Sequence, residues 1–399
     1  MEIFIAGKGI ITSIGNNVTE TLDSLKKYKT GVGEITILPT GYAGKLPAAE
    51  VKYTNQQLSE ISGLDISHSR TTFLSLLAAR QAITDAAIPN FDSYKTGFIS
   101  ANTVGGMDKT ENIFKEYLAD STTLKLTETA YHDSGASTEV VAEVLGIKHH
   151  ITTISTACSS SANAIMYGAR LIKSQQLDIA VCGGTDSFSR FTLNGFHSLM
   201  ILDSEPCKPY DENRKGLNLG EGAAYIVLVS ERVAATLASQ PMTKLSGYEN
   251  ANDAFHQTAS SPEGKGNYLA MSGALQNSGL KAEDISYINL HGTGTSNNDL
   301  SEGVAIEQIF GTHLPPVSST KPFTGHTLGA CAAVEAVFSI LCLENGIILP
   351  HLRFTTKMKE LNFEPCTKFL ENQDVKHVMS NSFGFGGNCS SLIFSKVLA

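Results

Sequence analysis

The second half of this 399-residue chain echoes the first, and that repeat limits the possible folds more than any single motif does. TTISTACSSSANAIMYGARLIKSQ in the first half corresponds to PVSSTKPFTGHTLGACAAVEAVFSILCLENG in the second. Each reads as a short strand, a turn of small residues and a long apolar helix. A helix over 72–87 leads into GFISANTVGGMDKTEN, and a helix over 267–279 leads into YINLHGTGTSNNDLSE. Both continuations read as a strand followed by a glycine-bearing turn. GEGAAYIVLVSE and GGNCSSLIFSK close the two halves, and FIAGKGIITS and KLSGYENAND open them. The chain therefore reads as two copies of one α/β unit, residues 1–237 and 238–399, joined near 232–243.

Further strand signals lie at 179–182 and 377–380, and further helices at 109–119, 138–146 and 300–310. Alternation of this kind argues for sheets covered by helices. With 42% hydrophobic residues the chain can bury a large core. The segment 328–349 is apolar but holds Glu335, Glu344 and Asn345, so it reads as a buried helix and not a membrane span. The start, MEIFIAGKGIITSIGN, has no basic leader and reads as a first strand; a cytoplasmic protein is expected. A net charge of −9 without a basic block argues against nucleic acid as a partner. Seven cysteines without CxxC spacing suit a reducing compartment and indicate neither a zinc site nor a redox motif.

Two like units packed about a pseudo-twofold bring equivalent turns together. Cys158 lies in a turn of small residues before the helix predicted over 162–175. A helix start favours negative charge and hence the reactive thiolate; the competing reading is a buried structural cysteine. From the second copy come His291, heading HGTGTSNND, and Lys321 and His326 in KPFTGHTLGA. Two histidines in equivalent turns, across from a helix-start cysteine, favour catalysis over structure, and too few further ligands exist for a metal. The loop NSFGFGGNCS places Phe383 and Phe385 among glycines, either as core anchors or as a movable gate over an apolar channel. Asp211, Arg214 and Glu221 read as an ion-paired loop bracing the site, and Glu302, at a helix start, as a partner for Lys321.

The turns STACSSS, HGTGT, KPFTGHTLGA and NSFGFGG, in that order, resemble the β-ketoacyl-acyl-carrier-protein synthases of the thiolase superfamily. The resemblance spans nearly the whole chain and implies the thiolase-like, duplicated, five-layered αβαβα fold. It is closest to the elongating synthases with a Cys–His–His centre, since His326 stands where initiating synthases have asparagine. It implies that Cys158 carries the acyl chain as a thioester, and that His291 and His326 bind the malonyl thioester carbonyl. Lys321 would order the centre with Glu302. Thr293 and Thr295 would contact the pantetheine arm, and the N–H groups of Cys158 and Phe385 would form an oxyanion hole. Phe383 and Phe385 would bound the substrate, with Phe385 gating the acyl channel. No cofactor is implied.

The same resemblance implies an acyl carrier protein as partner and a homodimer or a heterodimer with a related subunit, with a strand near 179–182 at the interface. Arg70, Lys109 and Lys115 are candidates for the basic patch an acidic carrier would need. GLNLGEGA and the fillers in GGNCSS resemble synthases of aryl-polyene or flexirubin-type pathways, which leaves the acyl substrate open. A non-catalytic chain-length-factor-like subunit is the alternative; such subunits lose the nucleophile, which here is present. A degradative thiolase is disfavoured by the lack of a Cys-x-Gly turn near the end of the chain.

Overall fold

The computed structural model describes residues 1–123 and 126–397. Ten strands form one hydrogen-bonded sheet: β1 (Ile3–Thr12), β2 (Thr96–Ala101), β3 (His150–Ile154), β4 (Ile179–Asp186), β5 (Gly222–Ser230), β6 (Thr243–Asn252), β7 (Tyr287–Asn289), β8 (Val317–Ser318), β9 (His377–Phe383) and β10 (Asn388–Lys396). Their order is β3-β2-β4-β5-β1-β6-β10-β9-β7-β8. Read outward from the centre, β1-β5-β4-β2-β3 on one side faces β6-β10-β9-β7-β8 on the other. The pairing senses match as well: β5 and β10 are antiparallel to both neighbours, while β2 and β7 are parallel to both of theirs. The repeat in the sequence is thus a repeat in topology. The halves touch in the sheet where β1 meets β6, at the single register pair Phe4–Lys244.

Side chains alternate across each strand and so feed two cores at once. In β5, Ala224, Ile226 and Leu228 enter the central core, while Ala223, Tyr225, Val227 and Val229 enter an outer one. The central core holds two helices, Ser160–Lys173 and Cys331–Asn345, covered by both halves of the sheet. The helix Arg70–Ala86 packs on the outer face of the first half, and Lys265–Ser278 with Ser296–Phe310 on that of the second. The result is five layers, αβαβα. Every residue from Cys331 to Leu343 is buried, which suits a helix apolar on every side save at Glu335 and Ser339. The stretch Leu328–Asn345 is long and apolar enough to cross a bilayer, but 89% of it is buried inside the protein.

One expectation is corrected by the strand order. Residues 179–182 lie in β4, between β2 and β5 and buried throughout, so they cannot face a second chain. The free edge of the first half is β3, whose Ile151 is 40% exposed.

Candidate active site

Cys158 sits between the end of β3 and the helix Ser160–Lys173. The turn is tight: Ala157 takes a left-handed conformation (φ 53°), a strained state for a residue with a side chain. Ser160 holds it in place. Its N–H donates to the Ala157 carbonyl (3.1 Å), and its Oγ accepts from the Thr156 N–H (2.8 Å). The turn aims the thiol inward, and Cys158 is buried.

The second half supplies the groups that face it. Nε2 of His326 lies 3.1 Å from Sγ of Cys158. His326 follows Gly325, whose close approach to the Leu219 carbonyl leaves no room for a side chain. The His326 N–H donates to the Asn218 carbonyl (2.8 Å), so the segment before β5 braces this histidine through its backbone. The His291 ring stands edge-on to His326, centroids 5.4 Å apart. Its turn is held by Glu302, whose two oxygens accept from the N–H groups of His291 and Gly292, each at 2.9 Å.

Lys321 is buried, and its ammonium reaches Nδ1 of His291 (3.3 Å) and Oε1 of Glu335 (2.6 Å). The expected pairing of Lys321 with Glu302 is therefore wrong. Glu302 is committed to the backbone of the His291 turn, and Glu335, inside the helix Cys331–Asn345, is the counter-ion. The sequence held a signal for this: Glu335 is the one ionisable acid or base in an otherwise apolar stretch until Glu344. Asp186 was also missed. It accepts from the N–H groups of Gly329 (2.6 Å) and Thr103 (2.9 Å) at the end of β4, locking the turn after His326.

The bracing acids and bases do not pair with one another as expected. Glu221 takes both arms of the Arg70 guanidinium, at 2.8 and 2.6 Å. Asp211 accepts from the N–H groups of Asn213, Thr355 and Thr356, and the Arg214 guanidinium faces Asp299 at 3.7 Å. Arg70 is consequently buried and cannot belong to a surface basic patch. Lys115 is exposed, and Lys109 is half-buried with its Nζ on the Ile66 carbonyl (2.8 Å).

Burial sets the electrostatics. It pushes the Cys158 thiol up to about 11, against the pull of Lys321 and of the N–H groups of Phe385 and Cys158 that point at the sulfur. Burial thus favours the thiol form of the resting cysteine, and the helix begins only at Ser160, past it. Burial and the Lys321 charge hold both histidines well below their usual 6.5, so both are neutral. Nδ1 of His326 accepts from the Leu328 N–H (3.2 Å), and Nδ1 of His291 accepts from Lys321. The single ring proton of each is thereby assigned to Nε2. Both imidazoles are donors facing the space at the sulfur, not bases.

The ligand atoms of Cys158, His291 and His326 lie within 4.8 Å of one another, close enough for a metal ion. The ammonium beside His291 repels a cation there, and a thiol near 11 is a poor ligand. In the neighbouring group of His291, Cys331 and Glu335, the Lys321 ammonium itself holds the cationic position.

Two cavities meet at Cys158. One is lined by His291, Thr293, Thr295, His326, Phe383 and Phe385 among others, and carries the hydroxyls of Thr293 and Thr295, 2.9 Å apart. The other runs past Val104, Phe191, Phe196, Leu199 and Leu328 and is almost wholly apolar. Phe385 lines both and stacks on Phe196 (6.0 Å). It stands in the loop Phe385–Gly387, where Gly386 and Gly387 take positive φ (80° and 79°). Phe383 is buried against His291 instead, its ring centroid 6.0 Å away, and lines the first cavity, whereas Phe196 and Phe385 line both.

A nucleophile at a strand–helix turn, faced by two donor histidines within a duplicated αβαβα fold, defines a thiolase-like ketosynthase architecture. The chain belongs to the β-ketoacyl synthase family: the family's N-terminal domain model matches residues 1–234 and its C-terminal domain model residues 242–355. It is 31% identical to the 3-oxoacyl-[acyl-carrier-protein] synthase 2 of Staphylococcus aureus (strain N315), over 99% of this chain and 98% of that one. Among solved structures it is similar to the ishigamide ketosynthase/chain length factor (29% identity, TM-score 0.92, covering 100% and 99%). It is also similar to a chain of the complex of a ketosynthase with its chain length factor from Xenorhabdus doucetiae (30% identity, TM-score 0.84, covering 99% and 98%).

Proposed function

We propose that this protein is a β-ketoacyl-acyl-carrier-protein synthase that extends an acyl chain by decarboxylative condensation. The observation that carries the reading is the 3.1 Å approach of the His326 Nε2–H to Sγ of Cys158, with His291 beside it. An acyl thioester on the carrier reaches Cys158. Sγ attacks its carbonyl, the N–H groups of Cys158 and Phe385 receive the oxyanion, and the carrier thiol leaves with the cysteine's proton. The acyl chain then lies in the apolar cavity. A malonyl thioester enters the other cavity, its arm against Thr293 and Thr295. The two Nε2–H groups hold its thioester oxygen as carbon dioxide departs and charge develops there. The resulting carbanion attacks the acyl-Cys158 carbonyl. The Cys158 sulfur leaves as a thiolate and takes a proton from water, and the product is a β-ketoacyl thioester two carbons longer. Lys321 and Glu335 keep His291 in its donor tautomer, and Glu302 holds its turn.

The partners follow from this reading: acyl- and malonyl-loaded carrier protein, and a second chain, either a copy or a related subunit. The free β3 edge and the exposed Phe114, Tyr117, Leu118, Phe191 and Met200 suit such a chain. Residues 1–237 and 238–399 are the two halves of the duplication, and the protein works in the cytoplasm. A non-catalytic chain-length-factor-like role is disfavoured by the intact Cys158, His291 and His326.

The test is mass spectrometry of the protein with acyl carrier thioesters of several chain types, then with malonyl carrier protein. Acyl mass on Cys158 that leaves as an extended ketoacyl thioester supports the reading. The preferred acyl group separates fatty acid from aryl-polyene-type synthesis. Failure of every donor to load Cys158, with and without a related subunit, overturns it.

A further inference from the structure

The two N–H groups that face the Cys158 sulfur come from different halves of the chain, one from the cysteine turn and one from the Phe385 loop. Something must hold these two segments in register. Their side chains meet at one residue, Asn388, at the start of β10. Its Oδ1 accepts from Ser159 Oγ (2.7 Å), Asn163 Nδ2 (3.0 Å) and Asn250 Nδ2 (2.7 Å). Three donors converge on one carboxamide oxygen, one more than its two lone pairs take singly.

Each donor reaches a different part of the centre. Ser159 directly follows the nucleophile. Asn163 also donates to Thr156 Oγ1 (2.8 Å), on the other side of the cysteine turn. Asn250 comes from β6, and the two protons of its Nδ2 are shared between Asn388 Oδ1, Ser390 Oγ (2.9 Å) and Asn163 Oδ1 (3.1 Å), which closes the network. Meanwhile the Asn388 carbonyl accepts from the Gly384 N–H (2.9 Å), closing the loop that carries Phe385. Gly384 packs so near the cysteine turn that an added Cβ would lie 3.1 Å from the Cys158 N and the Thr156 O. One residue thus grips the cysteine turn with its side chain and the Phe385 loop with its backbone.

We infer that Asn388 is a positioning residue for the oxyanion hole, setting the spacing of the Cys158 and Phe385 N–H groups. The inference rests on the condensing activity proposed above. It has a consequence that a general structural role lacks. Acyl transfer to Cys158 uses this oxyanion hole. Decarboxylation of malonyl thioester uses the His291–His326 donors, none of which Asn388 touches.

The experiment compares wild type, Asn388→Leu and Asn388→Asp in two assays. One is single-turnover acylation of Cys158 by acyl carrier thioester, followed by mass. The other is carbon dioxide release from malonyl carrier protein without an acyl primer. Asn388→Leu keeps the shape and removes the acceptor, so acylation falls about 10²-fold, the size expected for a misplaced oxyanion donor, while carbon dioxide release stays within about threefold. Asn388→Asp keeps the acceptor and retains acylation within about tenfold of wild type. Ser159→Ala removes a single donor and shows the same split with a smaller loss, about tenfold; it carries the test if Asn388→Leu does not fold. Acylation unchanged in both the Leu and the Ala variant, or both reactions falling together, overturns the assignment. A wild type that neither acylates nor releases carbon dioxide overturns the functional reading itself, and is told apart by that double failure.

Discussion

Replacing Lys321 by methionine tests the electrostatic design of the centre. The change keeps most of the side-chain volume and removes the buried ammonium that Glu335 meets at 2.6 Å. Burial has already raised Glu335 to about 7, even with the lysine beside it. Without that cation nothing among its neighbours favours the carboxylate, and the folded-state value rises further. The sign follows from linkage. A carboxyl whose folded pKa lies above its unfolded value binds an extra proton when folded, so stability falls as pH rises between the two values. In the wild type this fall ends near pH 7, where Glu335 ionises. In Lys321→Met it continues beyond. Below pH 7 the two proteins therefore differ by a constant amount. Above it the variant loses about 1.4 kcal/mol per pH unit relative to wild type, or roughly 2 kcal/mol between pH 7 and 8.5. Urea unfolding midpoints at half-unit steps from about pH 6 to 8.5 measure this. Parallel curves across the whole range would refute the buried-pair account. The same variant frees Nδ1 of His291, so its proton is no longer confined to Nε2, and carbon dioxide release falls about 10²-fold.

Three further outcomes are expected. The acylation rate of Cys158 rises close to tenfold per pH unit from about pH 6 to 9, because the thiol ionises only near 11; a plateau by pH 8 in a chemistry-limited assay contradicts this. Carbon dioxide release shows no half-maximal point near 6.5, since both histidines are held well below that value and stay neutral; a titration there would show an exposed imidazole. His291→Ala and His326→Ala each slow carbon dioxide release by about 10²–10³, while acylation, which relies on the backbone N–H groups, falls less; equal losses in both assays would remove the division of labour.

The parts legible in the sequence were those written as local pattern. The repeat, the turns at Cys158, His291, His326 and Phe385, and the apolar helix after His326 all follow from small residues beside strand and helix signals. What stayed hidden depends on distance along the chain. Glu302 stands 19 residues before Lys321 in sequence, at a helix start, and looked like its partner; the true counter-ion lies inside a buried helix, where an acid has no local reason to be. Arg70 opens a helix, a position that usually faces water, and only its meeting with Glu221, 151 residues on, puts it in the interior. The surroundings of the thiol are hidden for a related reason. A helix start is visible in sequence, whereas the burial that pushes the Cys158 thiol up is not. Strand order is likewise invisible, which is why an interface was expected at 179–182 although β4 is an inner strand and β3 the edge.

The topology carries a consequence for how such a centre can arise. β3 corresponds to β8, and the helix after Cys158 to the helix after His326, so the two residues come from corresponding turns of the two copies. Corresponding turns approach to 3.1 Å only beside the pseudo-twofold axis. In a dimer of identical units a residue on that axis meets its own twin. Cysteine would face cysteine and histidine would face histidine, and neither pair places a nucleophile opposite a proton donor. Joining both units in one chain frees each to mutate alone. Unlike groups can then share the axis, and a symmetric scaffold can hold an asymmetric reaction.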